Sequence, residues 1–247
     1  MSTRPQAAKN ALVTGANKGI GLETARQLAK NGYLVLLGAR DEQRGNEAVA
    51  TLKKEGLNVE FLKLDVTNDA DRKAAAAHIA EHHHGVLDVL VNNAGIHLDG
   101  KYKSTDVPAH VLQKTFDGNF FSMVLLTQTL LPFLRKSPAG RIVNLSSSLA
   151  SNTLHSDPRS FVYNNKPLAY DASKTAVNAF TVHLAHELKN TNIKVNAADP
   201  GWVKTDMGSQ AAHLEVPEGA QTSVYLATLD ASGPTGGFFH KQEALPW

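Results

Sequence analysis

The chain has 247 residues, 42% of them hydrophobic and 19% charged, which suits one large globular domain and excludes a disordered chain. Its 25 basic and 23 acidic residues are interspersed, so a net charge of +2 signals no nucleic-acid partner. With no cysteine, disulfides and thiolate metal sites are excluded, and a reducing, cytoplasmic setting is expected.

The first nine residues include Arg4, Pro5 and Gln6 without an apolar core, so no secretory signal is expected there. Short apolar runs then alternate with helical patterns. Strands are predicted near Asn10–Thr14, Tyr33–Gly38, Asn58–Leu64, Val86–Asn92, Arg141–Ser146, Ile193–Ala197 and Gly237–Phe239. Helices are predicted near Gly19–Asn31, Asp41–Glu55, Asp69–His83, Pro108–Leu134, Ala169–Asn190 and Pro217–Leu229. Apolar runs such as Val86–Val91 suit strands covered on both faces. This order predicts a single α/β domain over residues 1–247, a doubly wound, Rossmann-like parallel sheet of about seven strands with helices on both faces. The stretch Phe121–Leu134 is interrupted by Ser122, Thr127, Gln128, Thr129 and Pro132, so a buried helix is expected there and no membrane partner. Residues 151–168, rich in Ser, Asn and Pro, read as a variable loop bordering the site.

Thr14-Gly-Ala-Asn-Lys-Gly-Ile-Gly21 follows the first strand and opens a helix. Gly15 permits a sharp turn, Gly19 lets the backbone approach a pyrophosphate, and Gly21 allows close helix–sheet packing. The helix start would then face phosphates with free N–H groups and a positive dipole end. Alone, such a turn is a weak signal. The second strand ends Gly38-Ala39-Arg40-Asp41. A carboxylate there would favour a free ribose hydroxyl, whereas uncharged Ala39 followed by Arg40 favours a 2′-phosphate and hence NADP(H). Lys18 would add a second cation. The competing reading takes Asp41 as a ribose ligand for NAD, although Asp41 also suits a helix N-cap.

Tyr170 and Lys174, four apart, lie on one helix face, where an ammonium would favour the phenolate. Ser146-Ser147-Ser148 ends the fifth strand, Asn92-Asn93-Ala94-Gly95 the fourth, and Asn119 sits in the helix after it. His82-His83-His84 is expected to be a solvated helix end rather than a metal site, because consecutive residues point apart. No metal is expected. His97, Leu98, Tyr163, Trp202 and Met207 are candidates for the pocket wall. Ala172, Ala176 and Ala179 suit either helix–helix approach or packing on the sheet.

TGANKGIG, NNAG, Asn119, NLSS and YDASK, followed by Asp199-Pro-Gly-Trp-Val-Lys-Thr-Asp-Met207, resemble in order and spacing the short-chain dehydrogenase/reductase superfamily. The likeness runs from about Asn10 to the C-terminus and is strongest to carbonyl reductases. It implies that Tyr170 is the general acid/base and that Ser147 positions the carbonyl oxygen. Lys174 would lower the tyrosine pKa and hold the nicotinamide ribose, and Asn119 would support a proton-relaying water. It implies cofactor contacts from Gly15, Asn17, Lys18, Gly19, Ile20, Gly21 and Arg40. Further contacts would come from Asp65, Val66, Asn93, Gly95, Tyr170, Lys174, Pro200, Gly201, Val203 and Thr205. The expected reaction reduces a small ketone or aldehyde with NADPH. Oxidation of an alcohol with NADP+ is the second reading, and a non-catalytic dinucleotide-binding sensor or scaffold the third. A homo-oligomer (dimer or tetramer) and a monomer both stay open. The stretch from Ser147 to Tyr170 is longer than in many members, and the stretch after Met207 is short, so a reduced lid is expected.

Overall fold

Successive residues of the central strands turn to opposite faces of one sheet, and each face is covered by its own set of helices. Ala11, Val13, Val35, Leu37, Val89 and Val91 pack in one buried cluster with Ala25 and Leu28, Val49 and Leu52, and Leu226. The intervening Leu12, Leu36 and Leu90 pack in the other with Ile79, Leu126, Leu130 and Leu184. That alternation is the strand period made visible. The computed structural model describes residues 8–247; residues 1–7, where no secretory signal is expected, lie outside the described residues.

The strands are β1 (Asn10–Thr14), β2 (Leu34–Ala39), β3 (Val59–Lys63), β4 (Val89–Asn92), β5 (Arg141–Leu145), β6 (Lys194–Asp199), β7 (Phe238–His240) and β8 (Glu243–Ala244). They form one 8-stranded sheet in the order β3-β2-β1-β4-β5-β6-β7-β8. All neighbours pair parallel except β7 and β8. The two-residue β8 is the element missing from the seven-strand expectation; it is too short for any period. Strand order reverses between β1 and β4, which opens a crevice at their carboxyl ends.

Helices α1 (Gly19–Lys30), α2 (Glu42–Lys54) and α8 (Val216–Ala227) cover one face; α3 (Asp69–His82), α5 (Ser122–Leu134) and α7 (Leu168–Glu187) cover the other. The single helix expected over Pro108–Leu134 is divided. After α4 (Ala109–Phe116), a π-helical turn over Asp117–Phe121 leads into α5. At Gly118 a side chain would come within 2.9 Å of Ile96, so the missing Cβ lets this turn press on the β4–α4 loop. The expected loop 151–168 contains a short helix, α6 (Asn152–Ser156), capped by Ser151. Between β6 and α8 the chain forms turns and one bridge, Val203 to Leu214, with no helix.

A buried polar row ties the second face to the sheet. Asn92 and Asn144 are paired neighbours on β4 and β5. The Asn92 amide donates to Asn144 at 2.9 Å and to Thr127 of α5 at 3.0 Å; Asn144 donates to Thr181 of α7 at 2.9 Å. In this low-dielectric setting paired amides fix helix position strongly. Ala172, Ala176 and Ala179 turn away from that packing, whereas Ser173, Lys174, Val177 and Asn178 are buried. Of the three consecutive histidines, His82 and His84 are exposed, but His83 is buried against Glu60, which corrects the expectation of a solvated helix end. His84 and Gly85, both in the left-handed region, end α3 and turn the chain back toward β4.

Candidate active site

The residues expected to form the site lie just beyond the carboxyl end of a strand or on a helix facing that end. Residues Gly15 to Gly21 join β1 to α1, Arg40 follows β2, and Asp65 and Val66 follow β3. Asn93 and Gly95 follow β4, Ser147 follows β5, and Pro200 to Thr205 follow β6. Tyr170 and Lys174 occupy the first two turns of α7, and Asn119 sits in the π-helical turn.

The glycine turn fits a pyrophosphate. Gly15 and Gly19 have φ of 62° and 55°, a region that disfavours side chains. A Cβ on Gly21 would come within 2.4 Å of the Asn93 amide and 2.6 Å of the Gly15 carbonyl. The start of α1 carries no side-chain cap and no acidic residue in its first turn, which leaves its N–H groups for an anion. Asn93 is spent on this turn: its amide donates to the Thr14 carbonyl at 2.7 Å and the Gly15 carbonyl at 3.3 Å. Thr14 Oγ1 in turn accepts the N–H groups of Asn93 and Ala94, both at 3.0 Å. Asn93 therefore braces the cradle from behind.

Arg40 is exposed at the end of β2, while the Ala39 side chain belongs to the core rather than the cleft. Asp41 caps α2, accepting the Arg44 N–H at 3.0 Å, as an N-cap should. Arg44 itself, in the first turn of α2, is a cation that sequence reasoning passed over. Its charge reaches Asp206, as does that of Lys18. Lys18, expected as a free phosphate ligand, is paired with Asp206 at 2.6 Å, both side chains well exposed. The pair joins the glycine turn to the loop after β6. Thr205 Cγ2 lies 3.4 Å from where a Gly19 Cβ would be, so the two face each other across the mouth. Gly201 (φ 75°) has no room for a side chain beside Leu214 and His240, and Val203 is buried over Gly219. Asp65 accepts the N–H and hydroxyl of Thr67, and the half-buried Val66 gives its carbonyl to Arg72.

The three serines after β5 separate cleanly. Ser146 is buried and donates to Asn178 at 2.6 Å, and the Ser148 N–H is held by Asp199 at 2.9 Å. Ser147 is the one left partly exposed, with its hydroxyl beside the Tyr170 phenol. Lys174 is buried, lies with Nζ 5.8 Å from the Tyr170 ring centre, and donates to the Leu145 carbonyl at 2.6 Å. Burial pushes its ammonium down to about 8. Burial also pushes the Tyr170 phenol well above its ordinary value, reinforced by the charge of Asp199, while Ser147 pulls the other way. The lowering expected from Lys174 is not seen: desolvation of the phenolate sets the direction of the shift.

Both ends of the Asn119 side-chain amide are hydrogen-bonded. Its Oδ1 accepts the Ile96 N–H at 2.7 Å, and its Nδ2 donates to the Ile96 carbonyl at 2.9 Å and to Ser173 at 3.0 Å. It clamps the β4–α4 loop to α7. Gly95 sits between, where a Cβ would meet Asn119 Oδ1 at 3.3 Å and Lys174 Nζ at 3.6 Å.

Asp99 has no signal in the sequence reading, and Asp199 enters it only as the first residue of a motif, without a role. Asp99, 1% exposed, accepts the Ala169 N–H at 2.6 Å and the Tyr170 N–H at 3.3 Å, supplying the cap that α7 lacks locally. Asp199 supports Ser148 and pairs with His240 at 3.1 Å. Of the expected wall residues, His97 lies with its ring 4.8 Å from that of Tyr170. Leu98, Tyr163, Trp202 and Met207 are exposed.

The family model described as short chain dehydrogenase matches residues 9–215. The chain is 36% identical to carbonyl reductase [NADPH] 1 of Mus musculus, over 100% of this chain and 99% of that protein. Among solved structures, the NADPH-bound carbonyl reductase from chicken fatty liver superposes with a TM-score of 0.85 at 29% identity, covering 98% of this chain and all of that one. Salutaridine reductase from Papaver somniferum gives 0.81 at 30% identity, with 94% and 99% covered. The glycine cradle, the serine after β5 and the Tyr170–Lys174 pair all lie within the matched residues, and the chain belongs to the short chain dehydrogenase family.

Proposed function

We propose that this protein is an NADP(H)-dependent oxidoreductase that reduces the carbonyl group of a small molecule. One observation carries the reading: a half-buried phenol, kept protonated, stands beside the Ser147 hydroxyl and the Lys174 ammonium at the carboxyl end of the sheet. The glycine cradle fits a pyrophosphate, and Arg40 and Arg44 suit the 2′-phosphate that separates NADPH from NADH. NADPH, when bound, supplies the hydride. Ser147 donates a hydrogen bond to the substrate oxygen and fixes its position. Tyr170 gives its proton to that oxygen as charge develops there. Lys174 offsets the charge left on the phenolate.

With its pKa raised, the phenol carries its proton at neutral pH, the form that reduction uses, while the phenolate that alcohol oxidation needs is scarce. The test is NADPH consumption against aldehydes, diketones, quinones and cyclic ketones, with Tyr170→Phe as the control. The expected result is turnover of at least one class, lost by more than about a hundredfold in Tyr170→Phe, with NADPH binding nearly unchanged. Comparable turnover in the variant would remove Tyr170 from the reaction. Tight NADPH binding with no turnover of any compound would point instead to a dinucleotide sensor.

A further inference from the structure

At the opposite edge of the sheet from β8, β3 is the outermost strand. Glu60 pairs in register with Leu36, whose side chain belongs to the face covered by α3. Glu60 therefore points at that helix, and there it meets two imidazoles. Its Oε1 lies 3.0 Å from His78 Nε2 and 2.6 Å from His83 Nε2. The two Nε2 atoms are themselves 3.4 Å apart. Among the described residues, this is the one place where three such ligand atoms gather, all within 4.8 Å of one another.

We propose that Glu60, His78 and His83 form a binding site for a divalent transition-metal ion of the Zn2+, Cu2+ or Ni2+ class. Two nitrogens at about 2.0–2.1 Å from a tetrahedral ion stand roughly 3.4 Å apart, the separation the imidazoles already have. The carboxylate oxygen sits closer than a ligand edge of that size, at a distance set by shared protons. Each Nε2–H can donate to the one oxygen, and an ion replaces those protons when the ligands bind. Imidazole with one carboxylate suits Zn2+, Cu2+ and Ni2+ and is a poor set for Mg2+ or Ca2+, which take oxygen ligands.

The fold holds the set ready. His83 is 5% exposed and sits where α3 ends, its N–H bonded to the Ile79 carbonyl. His78 is held by stacking on His82, with ring centres 4.6 Å apart and planes 19° apart. His82 Nδ1 in turn bonds the His78 carbonyl, which fixes the stack. His78 and Glu60 are about one-third exposed, so an ion has a path in and a water has room as a fourth ligand. Such an ion would clip the sheet's outer strand to the end of α3, far along the sheet order from β5 and the catalytic residues. Its expected effect is on stability and not on turnover.

The experiment uses chelator-stripped, tag-free protein titrated with Zn2+ alone, read by calorimetry and by thermal unfolding. The expected result is one equivalent bound and a Tm rise of about 5–10 °C at a hundredfold excess over Kd. Glu60→Gln and His78→Gln should each weaken binding by more than about tenfold, the loss that removal of an outer-sphere partner alone can cause. NADPH binding verifies that each variant is folded. Should both fail to fold, imidazole NMR of the natural chain decides, because the His78 and His83 signals must shift first as Zn2+ is added. Absence of saturable one-equivalent binding, equal affinity in folded variants, or shifts confined to other histidines would each overturn the proposal.

Discussion

Asp99 and Tyr170 are joined through the main chain: the carboxylate accepts the tyrosine's own N–H at 3.3 Å and that of Ala169 at 2.6 Å. The loop after β4 therefore sets where the first turn of α7 begins, and with it where the phenol stands. The same carboxylate lies 3.7 Å from His97 Nε2, and the His97 ring packs on the Tyr170 ring. Asp99→Ala would leave buried N–H groups without an acceptor, a loss of about 1–3 kcal/mol in urea unfolding. The turnover number should fall as well, because Tyr170 loses its register. Asp99→Asn keeps a carbonyl acceptor and should fall between Ala and the natural residue in both measurements. An Ala variant with lowered stability but full turnover would limit Asp99 to a folding role.

The two ionisable groups of the site predict a pH profile. Burial holds Lys174 at about 8 and Tyr170 well above its ordinary value. As pH rises through about 8 the ammonium is lost first, while the phenol still carries its proton. The proton to be given is then present, but the cation that steadies the resulting phenolate is gone. The reductive kcat/KM, which reports groups of the free enzyme, should be level near neutrality and fall about tenfold per pH unit on the alkaline side. A profile that climbs on the alkaline side would mean that phenolate, not the protonated phenol, is the working form.

What could be read from the sequence was what local spacing encodes. The strand and helix periods, the glycine turn and the four-residue step from Tyr170 to Lys174 each sit within one element, so the chain displays them directly. Asp99 could not be found that way: its partner Ala169 is 70 residues distant. His83 was misread because its neighbours were judged along the helix, whereas Glu60 approaches from another element. The π-helical turn left no apolar-period break to detect, since Phe116, Phe120 and Phe121 continue the pattern through it. Asn93 and Asn119 are legible through the family motif, but the backbone groups they hold lie on other segments, which no motif states.

Cofactor preference should reside in two arginines rather than one. Arg40 is exposed after β2, and Arg44 lies in the first turn of α2 with its charge reaching the cleft-mouth residue Asp206. Each charge-assisted contact to a 2′-phosphate contributes about 1.5–3 kcal/mol, or roughly 10- to 100-fold in affinity. Arg40→Ala and Arg44→Ala should each raise the KM for NADPH within that range and leave that for NADH nearly unchanged. Arg40→Asp should move the preference toward NADH. If the ratio of the two cofactors does not move in any variant, the phosphate is recognised elsewhere.

Asp171, next to Tyr170, should make stability fall as pH rises. Its side chain faces His155 at 3.1 Å, and that imidazole is itself kept neutral by burial while Lys166 donates to its other nitrogen at 3.0 Å. Burial, with the charge of Asp99 adding to it, pushes the Asp171 carboxyl from 3.8 up to about 8; Lys166 pulls weakly the other way. Between those two values the folded chain holds a proton that the unfolded chain has released. By linkage, folding is favoured at the acidic end of this window and progressively disfavoured as pH rises through about 8. Asp171→Asn mimics the protonated form at every pH. Its Tm should lie nearest that of the natural chain at the acidic end of the window and exceed it increasingly toward pH 8, so that the difference between the two curves opens across the window. A difference that stays constant with pH, or that opens toward acid, would show that Asp171 is ionised in the folded protein and that its contact with His155 is an ion pair.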